Sequence, residues 1–273
     1  MMQLATFYDH VQDISKQEKV TMHEALCRTK KMGIDFLNVS SNNIKDREEE
    51  VRAELEAADL KVSSVCAYFS FEKTGGITEE DIKELDKALF FGTKNVLVIP
   101  GFFENGDTEE EKEKKLCNMI SAMKDLQKEA EKRGITLMME EYDNILAPFS
   151  TIAGVRRFLD EIPELVVAFD TGNFLYSDED VLEAYAQLRE RVGFVHLKDR
   201  SLENLKDGGE ERADINGRYI YSAPVGFGVI PITEIITKLQ ADGYSGIYTI
   251  EQYGSARSQE YMQKAADWLR DRL

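Results

Sequence analysis

Short β-rich runs alternate with longer helical patterns along the whole chain, and this alternation limits the possible folds more than any single motif does. The runs occupy residues 4–8, 34–39, 62–68, 95–99, 135–139, 165–169, 193–197 and 247–250. Helical patterns follow them at 21–32, 46–58, 79–91, 108–133, a segment opened by Ser150, 178–191, 231–242 and 258–272. In the longest pattern Leu116, Met119, Ile120, Met123 and Leu126 have the spacing of one buried helical face. After Ser150, read as the cap, Ile152, Val155, Phe158, Leu159 and Ile162 line one side. Tyr261, Ala265, Trp268 and Leu269 are the expected buried face of the last helix. A charged, glycine-bearing loop is expected over 200–228, and Pro231 opens the next helix.

Parallel neighbours need a crossover between them, so strands joined by helices imply a parallel sheet covered by helices. Eight such units in 273 residues fit a closed (β/α)8 TIM barrel, whose usual length is about 250 residues. A single barrel domain over 1–273 is the expectation. An open doubly wound sheet would usually show a glycine-rich turn after the first strand, and residues 8–13 contain no glycine.

With 34 Lys and Arg against 51 Asp and Glu, the net charge is -17. A general nucleic-acid binder needs a basic surface, and a protein held on an anionic membrane needs one too. Neither partner is expected. No apolar run reaches the ~18 residues of a membrane span. Residues 1–10 lack the basic start of a signal peptide, so a cytoplasmic location is expected. Cys27, Cys66 and Cys117 are odd in number and lack metal-like spacing, so they are read as packed thiols.

Barrels of this kind place their chemistry at the C-terminal ends of the strands. The fifth run ends at Glu140, the sixth at Asp170, the seventh at His196, and the eighth at Glu251. Side chains alternate along a strand. If these four point inward, Met139, Phe169, Val195 and Ile250 all face the helix layer, so the four assignments agree with one another. Three carboxylates and an imidazole cannot crowd a cavity as unpaired charges. A divalent cation resolves the conflict, and this oxygen-rich set suits Mn2+ first, with Mg2+, Co2+ or Zn2+ acceptable. Lys198 shares the parity of His196 and is a candidate substrate contact. Tyr8, His10, Asn38 and Tyr68 lie near the ends of the first three strands and are further rim candidates. Segments 69–76, 102–103 and 200–228 are candidates to close over the site.

The second half resembles the sugar phosphate isomerase/epimerase superfamily with the xylose isomerase-like barrel. The segments that carry the resemblance are 134–140, 167–173, 194–199, 224–228 and 243–251. It covers residues 134–251 closely and the first half only in general outline. It implies Glu140, Asp170, His196 and Glu251 as metal ligands, with Glu140 and Glu251 as the acid/base pair. Asn173 stands where many relatives carry histidine, which argues against a three-metal site. Asn173 and Arg200 are its further substrate-side positions. The implied activity is isomerisation or epimerisation of a small sugar, moving a proton at a carbon next to a carbonyl through an enediolate. Dehydration of a keto-polyol such as an inosose begins with the same proton. A non-catalytic sugar-binding barrel is the alternative from another class. Homo-oligomers are common among soluble enzymes, but no interface is legible.

Overall fold

The computed structural model describes residues 3–272. Its strands are β1 (Gln3–Phe7), β2 (Phe36–Ser40), β3 (Lys61–Tyr68), β4 (Asn95–Ile99), β5 (Thr136–Met139), β6 (Val166–Asp170), β7 (Val192–Ser201), β8 (Glu211–Ala213), β9 (Tyr219–Ala223) and β10 (Ile247–Glu251). β1 to β7 pair in sequence order, and β10 closes the ring by pairing in parallel with both β1 and β7. Eight parallel strands thus form the expected barrel, with helices outside.

Most barrel strands are short, and their inner stretches are rich in buried apolar residues, as strands covered on both faces require. The outward residues anchor the helices. Phe169 is fully buried, and its ring lies 5.4 Å from that of Tyr185 on the helix Val181–Leu188. Burying such a side chain contributes about 1.5–3 kcal/mol. The helix Glu109–Arg133 begins with a capping box from Thr108 and Glu111 and ends at Gly134 in the left-handed region.

Several local expectations change. Thr151, not Ser150, caps the helix Ile152–Glu161, by accepting the N–H of Gly154 at 3.1 Å. Pro231 is the N-cap of the helix Ile232–Ala241 rather than part of its first turn. Trp268 is only partly buried. A helix, Tyr8–Glu18, follows β1 directly, ahead of the expected one at Met22–Lys31. The 200–228 segment is not simply loop. β7 runs on to Ser201 and pairs antiparallel with β9, which pairs with β8. This hairpin stands at the C-terminal end of the barrel.

The end of β7 is tied down by Asp199. Its carboxylate accepts the N–H groups of Gly226 at 2.9 Å, Gly228 at 2.9 Å and Ile230 at 3.1 Å. A Cβ on Gly228 would come within 2.2 Å of the Arg200 carbonyl oxygen and the Asp199 carboxylate. That close approach is why glycine stands there.

Candidate metal centre and its cavity

Strand register brings the four polar strand ends together. Asp170 on β6 is opposite His196 on β7, and Glu251 on β10 is opposite Lys198, two residues further along β7. Glu140 follows the last residue of β5. One ligand atom from each of Glu140, Asp170, His196 and Glu251 lies within 4.8 Å of the other three, and all four residues are buried.

Each is held differently. Asp170 Oδ1 accepts the backbone N–H groups of Gly172 at 2.7 Å and Asn173 at 2.8 Å, which aims Oδ2 at the cluster. Oδ2 is buried with no hydrogen-bond partner. His196 Nδ1 is 2.8 Å from Glu140 Oε2 and 3.4 Å from Glu251 Oε2. Its other nitrogen, Nε2, is 3.0 Å from Asn38 Nδ2, and Asn38 Oδ1 accepts the Ser63 hydroxyl at 2.5 Å. Glu251 Oε1 is 2.7 Å from Lys198 Nζ.

The electrostatics are those of a site built for added positive charge. Burial drives the Asp170 carboxyl well above the usual range; the Lys198 charge opposes this, and the charges of Glu251 and Glu140 add to it. Burial raises Glu140 as well, opposed by His196. Burial would lower His196, but the Glu140 charge and hydrogen bond override it and raise it. Glu251 goes the other way. Burial would raise it, yet Lys198 and His196 hold it down at about 2. An orphaned carboxylate oxygen, three crowded acids and one imidazole fit a divalent cation, so this buried cluster could hold one.

A cavity of about 410 Å3 opens beside the cluster. Glu140, Glu251, Lys198, Asn173 and Tyr68 line it. Lys198 Nζ donates to Asn173 Oδ1 at 2.6 Å, and Asn173 Nδ2 donates to the Glu141 carbonyl at 2.7 Å. Asp170 and His196 lie beneath.

Three expected contacts are corrected. Tyr8 does not line the cavity. Phe7 takes the inward position, so Tyr8 turns outward and donates to Glu54 Oε2 at 2.9 Å. His10 sits behind the wall, where Nε2 accepts the Gln252 N–H at 3.0 Å and the ring packs 4.4 Å from that of Tyr253. Burial holds it down at about 4, so it is neutral near pH 7. Arg200 is buried against Asp143, Nη2 to Oδ2 at 3.1 Å, and Asp143 takes the lining position. Of the expected closing segments, the hairpin supplies Arg212 to the cavity; residues 69–76 and 102–103 supply no lining residue.

Asp143, Tyr142, Tyr253, Cys66 and Arg212 line the cavity without having been foreseen. Tyr142 and Tyr253 stand two residues after Glu140 and Glu251, so the inward parity extended past the strand ends was an available signal. Asn38 was foreseen at the rim, but it supports His196 from below.

The fold and the cluster define a class: eightfold parallel barrels with a potential divalent-cation site at the C-terminal mouth. The family model described as xylose isomerase-like TIM barrel matches residues 26–272, and the chain belongs to that family. It is 28% identical over 249 residues to an inosose dehydratase 2 of Bacillus cereus, covering 81% of this chain and 80% of that protein. Two solved structures share the fold. One is a D-allulose 3-epimerase from Methylomonas sp., with a TM-score of 0.72 and 15% identity, covering 100% of this chain and 98% of that one. The other is a xylose isomerase-like barrel protein from Mycobacterium smegmatis in complex with magnesium, with a TM-score of 0.62 and 19% identity, covering 89% and 87%. Among the described residues no helix is long and apolar enough to cross a membrane.

Proposed function

We propose that this chain is a divalent-metal-dependent lyase that removes water from a polyhydroxylated ketone, beginning with loss of the proton next to the carbonyl. The observation that carries the reading is the placement of two carboxylates, Glu140 and Glu251, at 2.8 and 3.4 Å from His196 Nδ1 in the wall of one cavity. When bound by Glu140, Asp170, His196 and Glu251, a divalent cation supplies Lewis-acid stabilisation of the oxyanion that forms as the proton leaves.

The remaining work falls to this chain's side chains. Glu251, kept ionised by Lys198, takes the proton. Glu251 then returns that proton to the departing hydroxyl, which leaves as water, while Glu140 holds the cation as a carboxylate. Tyr142, pushed up to about 12 by burial and by the Glu140 charge, stays an O–H donor. Tyr68 and Asn173 present polar groups to substrate hydroxyls. Mg2+ and Mn2+ are the cations to test first, with Co2+ and Zn2+ next.

Two features favour dehydration over epimerisation. Water loss needs one base, which can pass its proton to the departing hydroxyl, and the two glutamates have unlike surroundings. Epimerisation in both directions needs the two to exchange roles. The similarity across four-fifths of an inosose dehydratase points the same way. Isomerisation or epimerisation remains the second reading, favoured by the opposed carboxylates themselves. A keto-inositol incubated in D2O with each cation separates the readings by NMR. Loss of water with solvent deuterium at the carbon that lost its hydroxyl is the expected result. Label without water loss moves the assignment to an isomerase or epimerase. Bound ligand with no exchange under any of the four cations overturns both in favour of a binding barrel.

A further inference from the structure

Three cations converge on one carboxylate in the cavity wall. Arg212 Nη1, Arg200 Nη2 and Lys198 Nζ lie 2.8, 3.1 and 3.5 Å from the same oxygen, Oδ2 of Asp143. The second guanidinium nitrogen of Arg212 donates to the Asp143 carbonyl. Asp143 and Arg200 are both buried, and Arg200 Nε has no hydrogen-bond partner. The neighbouring acid, Glu141, is engaged by Ser177 at 3.3 Å instead. Lys198 also serves Glu251, but Glu251 belongs to the ligand cluster.

Lys198 is closer to Glu251, at 2.7 Å, so the two guanidiniums share the single Asp143 carboxylate and leave this wall one charge positive. That is a costly arrangement in a partly buried site unless an anion completes it. A chain with a net charge of -17 does not place three cations together through composition alone. A neutral polyol does not need them, because neutral side chains such as Asn42, Asn43 and Tyr68 already line the cavity and suit hydroxyls. Arg212 is the accessible member: its side chain is 44% exposed, it lines the cavity, and it lies on β8 of the hairpin with its guanidinium 5.0 Å from the Tyr176 ring centre. A guanidinium presents its N–H groups as a planar fork that matches a carboxylate.

We propose that the substrate carries a carboxylate, held at the Asp143 wall by Arg212 with Lys198. This rests on the cavity being the substrate site, and it narrows the substrate from a neutral keto-polyol such as an inosose to a carboxylate-bearing one.

The test is calorimetric binding to Mg2+-loaded and to metal-free protein. The probes are quinate, its uncharged methyl ester, and inositol 1-phosphate. Quinate is expected to bind about tenfold or more tightly than the ester, as a charge-assisted pair implies. Arg212→Gln should abolish that preference while the ester's affinity stays within about twofold, and Arg212→Lys should keep part of it. An unchanged thermal midpoint in both variants establishes that they fold. Equal affinity of the parent protein for quinate and its ester overturns the inference. Tighter binding of the phosphate than of quinate overturns the carboxylate assignment. Binding is read separately from proton exchange. A protein that selects the acid but exchanges no proton sinks the lyase reading alone. One that turns over a neutral keto-polyol and ignores charge sinks this inference alone.

Discussion

Glu140 and Glu251 are buried glutamates at strand ends of one cavity, and their walls differ. Glu140 stands near Cys66, Tyr68 and Tyr142, and its close charged partner is His196. There burial prevails and the carboxyl is raised. Glu251 meets Lys198 at 2.7 Å, and the carboxyl is held at about 2 despite equal burial. The difference comes from register. β10 pairs with β7 so that Glu251 lies opposite Lys198, whereas Glu140 follows the end of β5 and has no partner in the strand ladder. Position at the strand end makes both glutamates candidate ligands, and the adjoining strand decides which one carries a proton.

The largest effect that would break this comparison is on proton exchange. Glu251→Gln should slow deuterium incorporation by about 10²–10⁴-fold. Glu140→Gln removes a cation ligand and leaves the base in place, so it should slow exchange less. Initial rates of both, followed by NMR, check it; a Glu251→Gln variant within tenfold of the parent would end the assignment of the base.

Metal removal comes next. At about 100 times the dissociation constant, a ligand specific to the folded state stabilises it by about 2.7 kcal/mol, so chelation should lower the thermal midpoint. Asp170 and Glu140 are raised, so in metal-free protein they keep protons to higher pH than ordinary carboxylates. Those protons must leave on binding, so affinity should fall as pH falls. Calorimetry in buffers of different ionisation enthalpy counts them, and a count of zero at pH 5 would contradict the raised carboxyls.

A smaller loss is expected beneath the Glu140 wall. Asn38 presents its amide Nδ2 to His196 Nε2 at 3.0 Å, and its Oδ1 is fixed by the Ser63 hydroxyl. Asn38→Leu should weaken metal affinity about 10–100-fold, the usual cost of losing such a support. Titration with Mn2+ monitored by electron paramagnetic resonance measures it. Unchanged affinity would reduce Asn38 to packing.

The barrel was legible because buried parallel strands read as short apolar runs, and most expected strands agree with the observed ones within two residues. The helix Tyr8–Glu18 was not, because Phe7 caps it without a side-chain hydrogen bond and only Val11 and Ile14 mark its apolar face. That omission also misplaced Tyr8 and His10, since a helix starting at Tyr8 takes both off the rim. The hairpin was hidden because β8 is exposed along its whole length and carries no alternating pattern. Arg212 therefore had no local signal. The four strand ends were readable because their parity was mutually consistent. Arg200 keeps that parity as well, but Asp143 stands between it and the cavity, a tertiary fact with no trace along the chain.

The smallest expected effect probes the back of the Glu251 wall. His10 is held at about 4 by burial against an ordinary value of 6.5, with Glu251 pulling the other way. Its folded pKa lies below its unfolded one, so between these values the unfolded chain binds the extra proton. The stabilisation from a neutral His10 is full above pH 6.5 and is lost as pH falls toward 4. At pH 5.5 the loss is about 1.4 kcal/mol, or about 3–6 °C in midpoint for a chain of this size. His10→Gln keeps an acceptor for the Gln252 N–H but cannot take up that proton. Scanning calorimetry of parent and variant, both loaded with Mg2+, should show the parent losing more midpoint between pH 6.5 and 5.5. Parallel curves would mean that His10 is not kept neutral behind Glu251, and the two walls would then differ by Lys198 alone.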